Sequence, residues 1–177
     1  MITAMRTFEQ VKQEVLDYAK SKLPNENMSY VERHMSWELE RLQHDLESDW
    51  VNHPKFEEIL SEDIKKCREI VDNWDSLYLT PNNVKVGMGA HILLYTDRVP
   101  VTIIKVTPKT IVVQHDRVIV DEPPKQWGDQ PKTHFVKDEC GSTERYHWCE
   151  KRLTYGDRSR GNCICLAKRI YYRDPEF

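Results

Sequence analysis

Residues 84–116 read VKVGMGAHILLYTDRVPVTIIKVTPKTIVVQHD. Three short apolar runs stand in this stretch, at residues 91–95, 101–106 and 110–114, each rich in β-branched side chains. Alternating apolar and polar residues bounded by turn formers are the pattern of half-buried strands. Thr96-Asp97-Arg98 separates the first two runs and Thr107-Pro108-Lys109 the last two. Connections this short require antiparallel pairing. Gly87 and Gly89 place two permissive backbone positions ahead of the first run.

Downstream the strand signals are shorter and more polar. They predict strands at 134–136, 146–149, 163–166 and 170–172, with Cys140-Gly141-Ser142 and residues 155–162 as loops. Residues 121–132, DEPPKQWGDQPK, are rich in proline and charge and predict an exposed loop. Five or so short strands joined by small turns predict a compact antiparallel barrel of SH3-like size.

Upstream the period is helical. Thr7 with Gln10 fits a capping box, and Phe8, Val11, Val15, Tyr18, Ala19 and Leu23 follow at helical spacing until Pro24-Asn25. Ser29 with Glu32 fits a second box. Behind it Val31, Met35, Leu39, Leu42, Leu46 and Trp50 form one apolar stripe, with Glu32, Arg33, Glu40, Arg41 and Glu47 opposite. Asn52-His53-Pro54 interrupts the chain, and Phe56, Ile59, Leu60, Ile64, Cys67, Ile70, Val71, Trp74 and Leu77 mark the inner face of a third helix. Three amphipathic helices with short connections predict an antiparallel bundle. The heptad register is not sustained, which disfavours a coiled-coil dimer, but the stripe leaves monomer and homodimer both open. The fold expected is thus α+β: a three-helix bundle over 1–79, a linker at Thr80-Pro81-Asn82-Asn83, then a small antiparallel SH3-like barrel over 84–177.

The chain has 177 residues, with 39% hydrophobic and 31% charged, a balance that supports a folded core. Neither a membrane span nor a signal pattern stands in it, so a cytoplasmic protein is expected. Charge is unevenly spread: residues 1–80 hold 10 Lys/Arg against 17 Asp/Glu, and residues 81–177 hold 16 against 12. An acidic half followed by a mildly basic one bears on partners.

The run from Gly87-Met88-Gly89-Ala90 through Tyr95-Thr96-Asp97-Arg98, the TIVVQHD strand, the Gly-Ser-Thr turn and the ending IYYRDPEF together resemble a group of small bacteriophage and prophage proteins. Those share a G-x-G-A start, a Y-x-D-R turn and a tail like EYYDYSF. The resemblance covers residues 84–177. It implies a phage origin, and hence the host cytoplasm, with a small β domain and no assigned enzymatic activity. The insertion around Pro123-Pro124 and cysteines 140, 149, 163 and 165 depart from that pattern.

Cys140, Cys149, Cys163 and Cys165, with His134 and His147, are enough ligands for zinc, but spacings of C-x₈-C and C-x-C are not paired knuckles, and buried thiols are expected instead. His147 and Cys149 are too close along one strand to act as base and nucleophile, and His115-Asp116 has no nucleophile beside it. Glu57-Glu58 and Glu62-Asp63 read as a solvated helix face. No phosphate-binding glycine motif or H-E-x-x-H is present. Neither an enzyme nor a cofactor or metal site is therefore expected.

Two binding readings remain. Glu40, Glu47, Glu57 and Glu58 on an acidic bundle would dock on a basic host protein, such as a defence nuclease inhibited in an anti-CRISPR manner. Alternatively Lys151, Arg152, Arg158, Arg160, Lys168 and Arg169, interleaved with Trp148 and tyrosines, would bind DNA or RNA, cations taking phosphates while rings stack on bases.

Overall fold

A computed structural model describes residues 6–48, 51, 53–159 and 164–175. The chain divides into two compact units, Met1–Trp74 and Asp75–Phe177.

The first unit is helical. α1 (Phe8–Lys22) starts at the predicted capping box: Thr7 accepts from the Gln10 backbone while Gln10 accepts from the Thr7 N–H. The second predicted helix is two helices, α2 (Met28–His34) and α3 (Ser36–Glu47). They are divided at Met35, where φ is −97° and ψ 6°. The apolar stripe runs through the break, with Val31, Met35, Leu39 and Leu42 all buried, which is why periodicity alone reads it as one helix. The start is also corrected. Asn27, not Ser29, is the N-cap, its side chain accepting from the Ser29 N–H at 2.9 Å.

α4 (Phe56–Asp72) packs Phe56, Leu60, Ile64, Cys67 and Val71 inward. Ile59 and Ile70, expected inside, are half-buried, and Leu77 in the single turn α5 (Trp74–Leu77) is exposed. Asp63, read as a solvated face, is buried on α4, where Arg41 of α3 and Lys66 both reach its Oδ1. Burial of a carboxylate is tolerated because cations from two helices meet it. Trp50 and Asn52 lie outside the described residues. Among the described residues five helices therefore stand where three were expected.

The second unit carries β1 (Gly89–Leu93), β2 (Arg98–Thr107), β3 (Thr110–His115), β4 (Arg117–Glu122), β5 (Lys132–Val136), β6 (Thr143–Cys149), β7 (Thr154–Gly156) and β8 (Ile164–Ala167). Six of these, in the order β1-β2-β3-β6-β7-β8, close into an antiparallel barrel, and β4 and β5 form a separate two-stranded sheet. The expectation differs in several places. β1 runs over Gly89–Leu93 and not 91–95, and β2 begins at Arg98, which was expected in the turn, because the Leu94 N–H bonds the Asp97 carbonyl and closes the turn one residue earlier. Residues 117–122 are a strand the sequence reading does not assign, and Asp121, Glu122 and Lys132 of the expected loop belong to β4 and β5. β7 runs from Thr154 into the start of the region read as a loop, 155–162. Residues 170–172 form no strand, only an isolated bridge between Arg98 and Tyr172.

Alternation fills the barrel with Ala90, Ile92, Val101, Ile103, Ile111, Val113, Tyr146, Tyr155, Cys165 and Ala167. Leu79 and Val84 join this core, so the polar residues between them are a capped turn and not a free linker. There the Thr80 N–H donates to Asn83 Oδ1 at 2.8 Å.

Lys168, at φ +67°, turns the chain back after β8. The returning segment lies on the outer side of β1 and β2. His91 Nδ1 donates to the Lys168 carbonyl at 2.7 Å, and the backbones of Arg98 and Tyr172 exchange two hydrogen bonds. Arg169 reaches buried Asp116 at 2.6 Å and Thr102 at 2.7 Å. A Cβ on Gly89 would stand 2.7 Å from Arg169 Cγ, so this glycine is needed for close approach.

Candidate functional site

Strand alternation sorts the basic and aromatic residues of the second unit onto opposite sides of the barrel wall. Ile111 pairs with Tyr146 and Val113 with Glu144 across β3 and β6, and Ile111, Val113 and Tyr146 are buried inside. Their neighbours face out. Lys105 of β2 pairs with Val112, which pairs in turn with Arg145 of β6. Lys105 and Arg145 are exposed on one face, with β3 between them. Thr107, Thr110 and His147 continue that face toward the β2–β3 turn, where Lys109 is exposed.

The Lys109 carbonyl accepts from the Trp148 N–H at 2.9 Å, which ties this turn to β6. Lys151 and Arg152 are exposed in the β6–β7 turn at the same end, and Lys168 follows β8 at that end as well. Among the described residues no ion pair or side-chain hydrogen bond engages Lys105, Lys109, Arg145 or Lys151. Glu150 is the acid that shares the turn with Lys151. A sheet face with several uncompensated cations attracts a polyanion.

The residues named for nucleic-acid binding do not stay together. Lys151, Arg152 and Lys168 lie at one end of the barrel. Arg158 is exposed at the other end, in the connection after β7, and Arg160 lies outside the described residues. Arg169 is held by Asp116 and Thr102. Trp148 is half-buried, its ring edge-on to that of buried Tyr155 with centroids 5.3 Å apart. The rings are thus packed inward and the cations face out, so the face can hold phosphates without offering those rings to bases. Lys105, Lys109 and Arg145 escaped the sequence reading because only strand register shows that they share a surface.

His115 and Asp116 part company in the same way. His115 points to the end of the barrel, where its Nε2 lies 3.0 Å from Glu144, and the Tyr146 hydroxyl donates to the same carboxylate at 3.0 Å. Asp116 faces the opposite side and accepts from Thr102 and Arg169. Burial pushes the Tyr155 phenol up to about 12 and raises the Cys165 thiol above its ordinary range. Cys67 in the helical unit is pushed up to about 11, chiefly by burial. Protonated, buried thiols of this kind are poor nucleophiles. Cys140 is exposed and Cys149 half-buried, and Cys163 lies outside the described residues. Among the described residues no three His, Cys, Asp or Glu side chains are grouped to hold a metal.

In the helical unit Glu40 and Glu47 are exposed two turns apart on α3, and Glu57 and Glu58 are exposed in the first turn of α4. Glu47 accepts from Gln43 at 3.0 Å. Two adjoining grooves of about 360 and 410 Å³ share Phe8 and Gln43, the first between α1, α2 and α3 and the second between α1, α3 and the start of α4. Glu40 lines the first with Lys12 and Glu32, and Glu47 lines the second with Arg6. The acids are therefore interleaved with cations along these grooves. No helix among the described residues is long and apolar enough to cross a membrane.

Comparison with protein-family models, with curated proteins and with solved structures finds no match.

Proposed function

We propose that the protein is a non-enzymatic phage accessory protein of the host cytoplasm that acts by binding a macromolecule. Its SH3-like barrel is the binding module, and the ligand is the phosphate backbone of nucleic acid. The observation that supports this best is the outer face of β2, β3 and β6, where Lys105, Arg145, Lys109 and Lys151 lie together without acidic partners among the described residues. Because the rings of Tyr146, Trp148 and Tyr155 pack toward the core, the face suits a continuous backbone better than splayed bases. Duplex nucleic acid is the expected substrate class.

The test is a fluorescence anisotropy titration of labelled duplex and single strand over a salt series. The logarithm of affinity should fall with that of salt concentration by about 0.9 per phosphate neutralised on duplex. The pair Lys105→Glu and Arg145→Glu should abolish binding at moderate salt. Failure to bind either form at low salt rejects the reading.

A second reading has its own support in the exposed carboxylates of Glu40, Glu47, Glu57 and Glu58 at α3 and the start of α4. There the protein would occupy the basic substrate groove of a host defence nuclease, an anti-CRISPR type of action. A purified nuclease whose inhibition survives Glu40→Lys with Glu47→Lys would rule this out.

A further inference from the structure

Every barrel strand has two hydrogen-bonded neighbours, whereas β4 pairs on one side with β5 alone. Among the described residues no other backbone group bonds to residues 117–122. Ile119 and Val120 are 38% and 53% exposed on this strand. An open strand edge with bare donors, acceptors and apolar side chains is a template for another strand.

We infer that this edge pairs antiparallel with the same edge of a second copy of the chain. The argument is self-complementarity. A two-fold axis perpendicular to a sheet keeps each residue on its own face, so it can oppose only residues of like parity. Centred on Ile119, the operation sets Ile119 against the second copy's Ile119, Val118 against its Val120, and Arg117 against its Asp121. Apolar residues meet apolar ones and each cation meets an anion.

Centred instead on Val120, the operation sets Ile119 against Asp121 and Val118 against Glu122, so the register is specified. β5 centred on His134 would set Lys132 against Val136 and the histidine against itself, without any opposite charge. Within one chain Arg117 lies 3.5 Å from Asp138 and Asp121 lies 2.7 Å from His134, with Arg117 67% and Asp121 48% exposed. Both charges therefore still face solvent. The register shift falls at Asp121 itself, between Val120 and Glu122, so the pairing segment ends at the bulge, and the isologous contact closes on a dimer.

The experiment is sedimentation velocity on the full chain over a concentration series reaching the millimolar range. The wild type should show a monomer–dimer equilibrium. Ile119→Lys brings two ammonium groups together on the axis and should leave a monomer. Arg117→Asp or Asp121→Arg alone sets like charges opposite and should weaken dimerisation about tenfold or more. The double swap R117D/D121R should restore it to within a few-fold. Far-UV circular dichroism checks each fold, and the charge-swap set decides should Ile119→Lys fail to fold. A monomer at every concentration, a dimer that survives Ile119→Lys, or no rescue by the double swap overturns the proposal.

Discussion

Asp116 and Arg169 are distant in sequence, and nothing in either neighbourhood marks them as a pair. Asp116 is buried at the end of β3, while Arg169 is partly exposed on the returning segment. Removing the cation leaves a carboxylate without its charge partner, so Arg169→Ala should cost about 3 kcal/mol in chemical denaturation. Gly89→Ala should cost about 1–2 kcal/mol, because its methyl group would meet the Arg169 stem. The double variant should cost less than the sum, since the clash disappears with the arginine. Full additivity would mean the contact is not as described. His91 supplies a pH test. Burial holds its pKa below the ordinary 6.5, although the bond to the Lys168 carbonyl opposes the shift. The folded state therefore disfavours the proton. Stability should be complete above pH 6.5 and fall as pH drops below it toward the lowered folded value. The fall in Tm between pH 7.5 and 5.5 should be smaller in His91→Asn; an unchanged fall would assign the effect to another group.

At the scale of elements, the local signals that proved legible are those whose cause is local. Thr7 and Gln10 begin α1 through bonds within one helical turn. Thr7→Ala should destabilise the helical unit by about 1 kcal/mol, read as a shift of its unfolding midpoint. A neutral result would mean that packing of Phe8 and Val11 sets the helix start. Met35 shows the limit of such signals. Its side chain is buried in step with Val31 and Leu39, so the stripe is unbroken while the backbone ladder is not. The hairpin β4–β5 shows another limit. The β-branched run Val118-Ile119-Val120 is strand-like, but its partner follows a proline-rich excursion of nine residues and only pairing in space makes it a sheet.

For the whole molecule, the change of period near residue 80 corresponds to a division into units at Trp74–Asp75. The shift has a physical cause: Leu79 and Val84 enter the barrel core ahead of β1. A fragment of residues 75–177 contains that whole core, so it should unfold cooperatively by itself with the near-ultraviolet dichroism of its buried tyrosines. A fragment that fails to fold would show that the helical unit supplies part of the core. The acid-rich first half and the basic second half were plain from counting charges. Which carboxylates and cations face solvent was not, as Asp63 and Arg169 show.

By itself the sequence determined what depends on neighbours along the chain: two classes of period, the α1 cap, the existence of short turns between β1 and β2 and between β2 and β3, and the asymmetry of charge. Tertiary structure decided what depends on closure and register. β8 returning to β1 makes six strands a barrel, and β3 lying beside β2 and β6 sets Lys105 and Arg145 on one face while drawing Tyr146 and Trp148 inward. The reason is geometric. Alternation specifies that a side chain lies on one face or the other, but only the pairing of distant strands specifies which side chains share it.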